Sequence, residues 1–409
     1  MRMANRKQVQ LRPCDLESVL AADHVARTLW AAVERLDLSR FYEDIAARGS
    51  APGRSATDPK ILVTLWLYAT SEAVGSAREL ARLCESHDAY RWICGGVPMN
   101  HHTLSDFRVG YEKALDALLT EVLAVMMKSG LVKLKRLAQD GMRIRASAGA
   151  ASFRREKKLR DYLRIAKAEV ERLKAQGDSP DPDRSARERA AEERAARERE
   201  HRVGRALDQL PSIRKSKTSA EDKENARAST TDPEARVMKM ADGGFRPAYN
   251  LQLATDTESR VIVGVRVSNV GSDMGLMEPM LDEVESRTGH RPEQHLVDGG
   301  FAKKSDIESA AARGVTVYAP VPKPREASID PHAPKDDDSH VVATWRQRMG
   351  TEEAKQIYKE RAATAETVNA DLRTLRGLDR LVVRGADKVK SVLLWGVLTY
   401  NLLRWAALV

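Results

Sequence analysis

Three carboxylates stand where chemistry could use them. Asp140 lies inside a run that reads as a strand. Asp298 closes another short strand just before Gly299-Gly300, and Glu366 lies on a long helical run after the last strand. They are 158 and 68 residues apart, so only the fold can gather them. Anionic oxygen donors suit hard cations such as Mg²⁺ or Mn²⁺. Two such ions about 3.5–4 Å apart could clamp the attacking and leaving oxygens of an in-line phosphoryl displacement. Asp256 in a hairpin turn and Asp242 before two glycines have a plainer reading as turn residues. Asp140 does not. Ala138, Asp140, Met142 and Ile144 alternate with Gln139, Arg143 and Arg145, which puts a carboxylate on the apolar face of a strand, the costly side.

The elements that must position these acids follow from the pattern. Residues 15–48 read as helical. Asp58-Pro59 offers an N-cap with proline at the first helical position, ahead of a buried helix over Lys60 to Thr70. Further helical runs cover about 76–85, 102–108 and 111–129, broken at Gly95-Gly96-Val97-Pro98. The first strand follows from Leu134. Residues 153–206 are charge-dense helix formers broken by Gly177-Asp-Ser-Pro-Asp-Pro182, a projecting hairpin or a solvated charged arm; 211–235 reads as loop. Tyr249 to Ala254 and Val261 to Val267 flank Thr255 to Arg260 as a hairpin. A helix over 273–288, a strand His295 to Asp298, a helix over 302–313 and a strand Val315 to Val321 come next. A proline- and acid-rich loop, 322–340, precedes helices over 351–374 and 386–407. Three successive strands followed by two strand–helix units imply a mixed sheet with helices packed on it.

Composition narrows the classes. The 409 residues suggest two or three domains, and 42% hydrophobic content can fill their cores. The net charge of +9 favours a polyanionic partner. Residues 1–150 carry 21 basic and 17 acidic residues, 151–230 carry 22 and 16, and the remainder 25 and 26, so the excess lies in the first 230. Three cysteines, Cys14, Cys84 and Cys94, exclude a disulfide framework and fit a reducing cytosol. The N-terminus lacks the apolar stretch of a signal peptide. Cys84, His87, Cys94, His101 and His102 fit no familiar zinc spacing. Ser391 to Val409 is nearly long enough to span a bilayer, but Asn401 and Arg404 would be costly there, so it reads as a core helix.

Leu137-Ala-Gln-Asp-Gly-Met-Arg-Ile-Arg-Ala146, Ser229-Thr-Thr-Asp-Pro-Glu-Ala-Arg236, Gly244 to Asp256 and Val297-Asp-Gly-Gly-Phe301 resemble bacterial insertion-sequence transposases of the DDE type. Ile357-Tyr-Lys-Glu-Arg-Ala-Ala-Thr-Ala-Glu-Thr-Val-Asn369 resembles their Tyr/Arg/Glu helix. Asp58-Pro-Lys-Ile-Leu62 and His101 to Arg108 resemble their N-terminal helical region. The resemblance implies an α/β, ribonuclease-H-like catalytic domain over 131–152 and 232–409, built on a mixed five-stranded sheet with flanking helices. An all-helical DNA-binding domain, 1–130, precedes it, and a charged helical insertion, 153–231, interrupts it between the first and second strands.

It implies Asp140, Asp298 and Glu366 as a catalytic triad holding two Mg²⁺ or Mn²⁺ ions, with Tyr358, Arg361 and Arg373 on DNA phosphate. At about 100° per residue, Glu366 lies about 80° from Tyr358 and about 20° from Arg373, one shared face. Two departures stand out: four residues separate Arg361 from Glu366 where several relatives have three, and Arg373 stands where Lys is common. The partners implied are double-stranded DNA, as element terminal repeats and target, and at least a second copy of the chain on DNA. No membrane is involved, and the setting is the cytoplasm, at the nucleoid. The rival readings are a catalytically inactive, transposase-derived DNA-binding protein or repressor, and a metal-dependent nuclease outside transposition.

Overall fold

The structure is a computed structural model that describes residues 15–43, 45, 56–177, 185–324, 326 and 328–408. Cys14, residues 46–48 of the first helical stretch, and the break at Asp178 to Pro182 lie outside the described residues. The chain opens with helices. α1 (Val25–Val33) and α2 (Ser39–Tyr42) are separate, not one run. α3 (Pro59–Ser71) starts as the sequence suggests: the Asp58 carboxylate accepts from Lys60 N at 2.9 Å and Pro59 takes the first helical position. It is apolar all round, and residues 62–70 are buried. α4 (Ala77–Ser86), α5 (Asp88–Cys94), α6 (His101–Gly110) and α7 (Glu112–Lys128) follow. α5 was not legible from the sequence. Its end was, because Gly95 takes the left-handed cap that glycine tolerates.

β1 (Arg136–Arg145) is next, then β2 (Phe153–Arg155), α8 (Glu156–Gly177), α9 (Ala186–Lys215), α10 (Ala220–Glu224) and β3 (Arg227–Ser229). The charged insertion is thus a helical hairpin with a two-stranded ribbon, β2 against β3, at its base. The loop expected from 211 is corrected: α9 continues through Pro211 to Lys215. Burial outweighs the proline there, because Val203, Ala206, Leu210 and Ile213 pack with Leu159 and Ala228 in a small core of their own.

β4 (Arg236–Lys239), β5 (Phe245–Asp256), β6 (Ile262–Ser268), α11 (Met277–Thr288), β7 (Gln294–Leu296), α12 (Lys304–Ala312) and β8 (Thr316–Tyr318) complete the sheet. Among the described residues it has six strands, not five. β5 pairs antiparallel with β1 on one side, and with β6 and the short β4 on the other. β1, β7 and β8 run parallel. The additional strand is β4, joined to β5 by a turn in which Asp242 accepts from Gly244 N at 3.0 Å and Gly243 takes φ +80°. At the other end of β5, Asp256 caps its turn through Ser259, as turn chemistry suggests.

α13 (His340–Gly350), also unforeseen, leads into α14, continuous over 352–375. α14 is not a plain α-helix. It holds two π turns, Ala362–Glu366 and Asp371–Leu375. α15 (Ala386–Leu408) ends the described chain. It is long and apolar enough to cross a membrane, yet most of it is buried. It packs on α3, α7 and β6, and its residues share one continuous apolar core with the N-terminal helices and one face of the sheet. The polar residues that make a bilayer costly have partners here. Asn401 bonds both the N–H and the C=O of Ile262, at 3.0 and 2.8 Å, and Arg404 donates to the Ser259 carbonyl at 2.9 Å.

His295 on β7 is fully buried with neither ring nitrogen hydrogen-bonded among the described residues, and burial drives its pKa down to about 3. The folded state holds it neutral, while the unfolded chain protonates near the ordinary value of about 6.5. Stability from this group is therefore complete above about pH 6.5 and falls towards pH 3, by up to about 1.4 kcal/mol per pH unit. His295→Leu should flatten the acid limb of stability against pH, as read by urea unfolding at pH 7 and 4.5, and should not destabilise at pH 7.

Candidate active site

The register of the sheet brings the two aspartates together. β1 and β7 are parallel neighbours with Ala138 opposite Leu296. Asp140 lies two residues further along β1 and Asp298 two residues past the end of β7, close enough for one guanidinium to reach both. Adjacent strands are about 4.8 Å apart, so two like charges are forced close. On its face of β1 Asp140 neighbours Met142, Ile144, Leu251 and Leu253, as the alternation requires.

α14 supplies what the pair needs. Arg361 Nη2 lies 3.2 Å from Asp140 Oδ1 and 3.7 Å from Asp298 Oδ2, one guanidinium between two carboxylates. Asn369 Nδ2 donates to Asp140 Oδ2 at 3.0 Å. Each aspartate also accepts a backbone N–H: Gly141 N for Asp140 at 2.9 Å, Gly300 N for Asp298 at 2.8 Å. Burial pushes the Asp140 carboxyl above its ordinary pKa. Arg361 and the Gly141 N–H pull it back, while Asp298 and Asp273 push it up again. Tyr358 is half-buried beside them. Burial raises its hydroxyl pKa, Arg361 opposes, and Asp298 and Asp140 add to the rise.

Glu366 does not join the pair. It is exposed and makes no hydrogen bond or ion pair among the described residues, and no group of three potential ligands stands close enough there to hold a metal. Its place on the helix is informative nevertheless. A π turn closes i to i+5, one residue more than an α turn. The turn over Ala362–Glu366 takes up the one-residue excess between Arg361 and Glu366 and sets Glu366 about one turn beyond Arg361. Arg361 and Asn369, which bracket Glu366 on α14, both touch Asp140. The uniform 100° reckoning is corrected accordingly, because it assumed α geometry throughout. Arg373 lies in the second π turn, exposed, with no contact to either aspartate among the described residues.

The opposite face of β1 carries residues to which sequence reasoning gave no role. Gln139 Nε2 donates to Gln252 Oε1 at 2.9 Å. Asn250 and Gln252 donate to Asp273 Oδ1 at 2.7 and 2.8 Å, and Arg143 pairs with its other oxygen at 3.2 Å. A Cβ on Gly141 would fall 2.4–2.7 Å from Gln252, Asp273 and Asn250, so only glycine lets this cluster close on the strand. The signal was present: Asn250 and Gln252 recur at period two inside an apolar strand, where polar side chains need partners.

Two family models match the chain: "Transposase DDE domain" over residues 212–402 and "Transposase domain (DUF772)" over 15–110. Between them they span more than half of it. The chain belongs to the DDE transposases of insertion sequences. No curated protein and no solved structure matches it. In this transposase the DDE match contains Asp298, Tyr358, Arg361, Glu366 and Arg373 but starts after β1. Asp140 is tied to the others by register and by Arg361, not by the match.

For Asp140 the balance of burial and pairing gives a contrast between two variants. Asp140→Asn removes a charge that burial disfavours and should leave Tm unchanged or a few degrees higher. Arg361→Ala leaves two partly buried carboxylates facing each other and should cost about 2 kcal/mol in chemical denaturation.

Proposed function

We propose that the protein carries out DNA transposition by metal-dependent cleavage at the element's ends and strand transfer into target DNA. The carrying observation is the pairing of Asp140 and Asp298 across one guanidinium. Two carboxylates held side by side, one with its pKa raised by burial, form a site short of positive charge. The strand order β6-β5-β1-β7-β8, with β5 antiparallel to its neighbours and the rest parallel, supports a ribonuclease-H-like catalytic core over 131–152 and 232–409. On this reading residues 1–130 are the DNA-binding domain and 153–231 the insertion.

The donor set suits hard divalent cations. Asp140 and Asp298 would hold them, and Glu366 would complete the set from α14. Bound there, two Mg²⁺ or Mn²⁺ ions would supply electrostatic stabilisation of the attacking and leaving oxygens. Arg361 serves as the resident counter-charge before cations arrive, and its planar fork then suits a DNA phosphate, with Tyr358 beside it. The remoter role of Arg373 is a phosphate contact further along the strand. In the first reaction water bonds to phosphorus at the element's end and the strand leaves with a free 3′-hydroxyl. In the second that hydroxyl bonds to a target phosphorus and displaces a target 3′-oxygen. No covalent protein–DNA bond is required. Joining two ends calls for at least two copies of the chain on DNA, in the cytoplasm.

One observation favours a second reading. Glu366 stands apart from the aspartates, as it would in a transposase-derived protein that binds ends without cutting them. A strand-transfer assay with Mg²⁺ or Mn²⁺ separates the two. Asp140→Ala, Asp298→Ala and Glu366→Ala should each lower nicking at least about a thousandfold, the loss of several kcal/mol of transition-state stabilisation, and leave end binding intact. Nicking that survives Asp298→Ala rejects the catalytic assignment; survival in Glu366→Ala alone removes only the third ligand.

A further inference from the structure

A large cleft lies apart from the acid pair. It has a volume of about 850 Å³ and opens where three stretches of chain distant in sequence meet: α4 with α6, the insertion helix α9, and residues 382–388 ahead of and into α15. Its walls carry Arg78, Arg108, Arg202, Arg205, Arg384 and Lys388 against two acids, Glu198 and Glu234. Both acids are engaged: Glu198 pairs with Arg202 at 2.7 Å, and Glu234 with Arg205. Arg108 is half-buried, stacked on Trp66 and donating to the Gly75 carbonyl. That leaves Arg78, Arg384 and Lys388 exposed, each without a carboxylate partner among the described residues.

The convergence is built, not incidental. The Asp232-Pro233-Glu234 turn holds the segment that bears Arg384 and Lys388. Asp232 is fully buried, accepts from Tyr249 Oη at 2.8 Å and receives Gly385 N at 3.3 Å. Glu234 accepts Ala386 N at 2.6 Å while its other oxygen takes Arg205 of α9. One short turn therefore docks the insertion hairpin to the start of α15 and places Arg384 and Lys388 across the opening from Arg78 of α4. Like charges so placed raise the local positive potential, which favours an extended polyanion seated among them.

We propose that this cleft is a DNA backbone site, in which Arg78, Arg384 and Lys388 contact successive phosphates of one strand of a duplex. The proposal rests on the transposase reading for its choice of polyanion. It also gives the charged insertion a role, since α9 then forms a wall of the site instead of a free arm. Contacts of this kind are independent of sequence and release counterions.

The test is binding of the full-length protein to a labelled random-sequence 30-base-pair duplex, measured from 50 to 300 mM KCl. Arg78→Ala/Arg384→Ala/Lys388→Ala should lower affinity at least tenfold near 150 mM and flatten the slope of log K against log salt by about three units. The matched control Lys113→Ala/Lys128→Ala/Lys135→Ala removes the same charge from exposed positions outside the cleft and should change the slope by less than one. A cleft triple with an unchanged slope, a control that falls equally, or release of the duplex by millimolar inorganic phosphate at constant ionic strength would each overturn the cleft assignment. Failure of the wild-type protein to bind any duplex would instead overturn the transposase reading beneath it.

Discussion

Two aspartates brought together, Asp140 on β1 and Asp298 just past the end of β7, are the constraint that organises this molecule. The sheet forces them together, because Ala138 and Leu296 are in register and each carboxylate lies two residues further on. Such a pair cannot stand in a poorly solvated place without a cation. Arg361 answers that need in the protein as it folds, and Asn369 and two backbone N–H groups satisfy remaining lone pairs. Everything else about α14 follows from having to deliver those side chains to that spot.

The π turns are the clearest case. A helix that must place Arg361 and Asn369 on one carboxylate, with Glu366 between them, has more residues than α geometry can accommodate on one face. Widening the turn over Ala362–Glu366 absorbs the excess while Thr364 and Ala365 stay buried. Turns of this kind recur at functional sites for this reason. On the far side of β1, the Gln139–Gln252–Asn250–Asp273 cluster holds the strand from behind, and Gly141 is the gap that lets it close.

Local signals were legible wherever one residue type has one physical use. Asp58-Pro59 fixed a helix start, period two exposed Asp140 on an apolar face, and Asp256 marked its turn. Asn401 and Arg404 pointed to a core helix, and most of the last helix is indeed buried. What stayed hidden depends on tertiary partners. α5 and α13 are short and weakly patterned, α9 passes Pro211 because a distant Leu159 packs on it, and β4 is four residues at a sheet edge. The π turns have no propensity signature, so the face shared by Glu366 and Arg373 was reckoned on the wrong geometry. The pairing of Asp140 with Asp298 was implied by resemblance, but the cation between them was visible only in three dimensions.

The last helix has a consequence for how the molecule comes into being. α15 fills the groove between the N-terminal helices and the sheet, so Trp66 and Trp395 belong to one interior. During synthesis the apolar surfaces of α3 and α7 emerge hundreds of residues before the segment that covers them. A nascent chain stalled short of residue 386 leaves that apolar interior uncovered. The last helix is therefore the closing piece of the interior that the first helices begin.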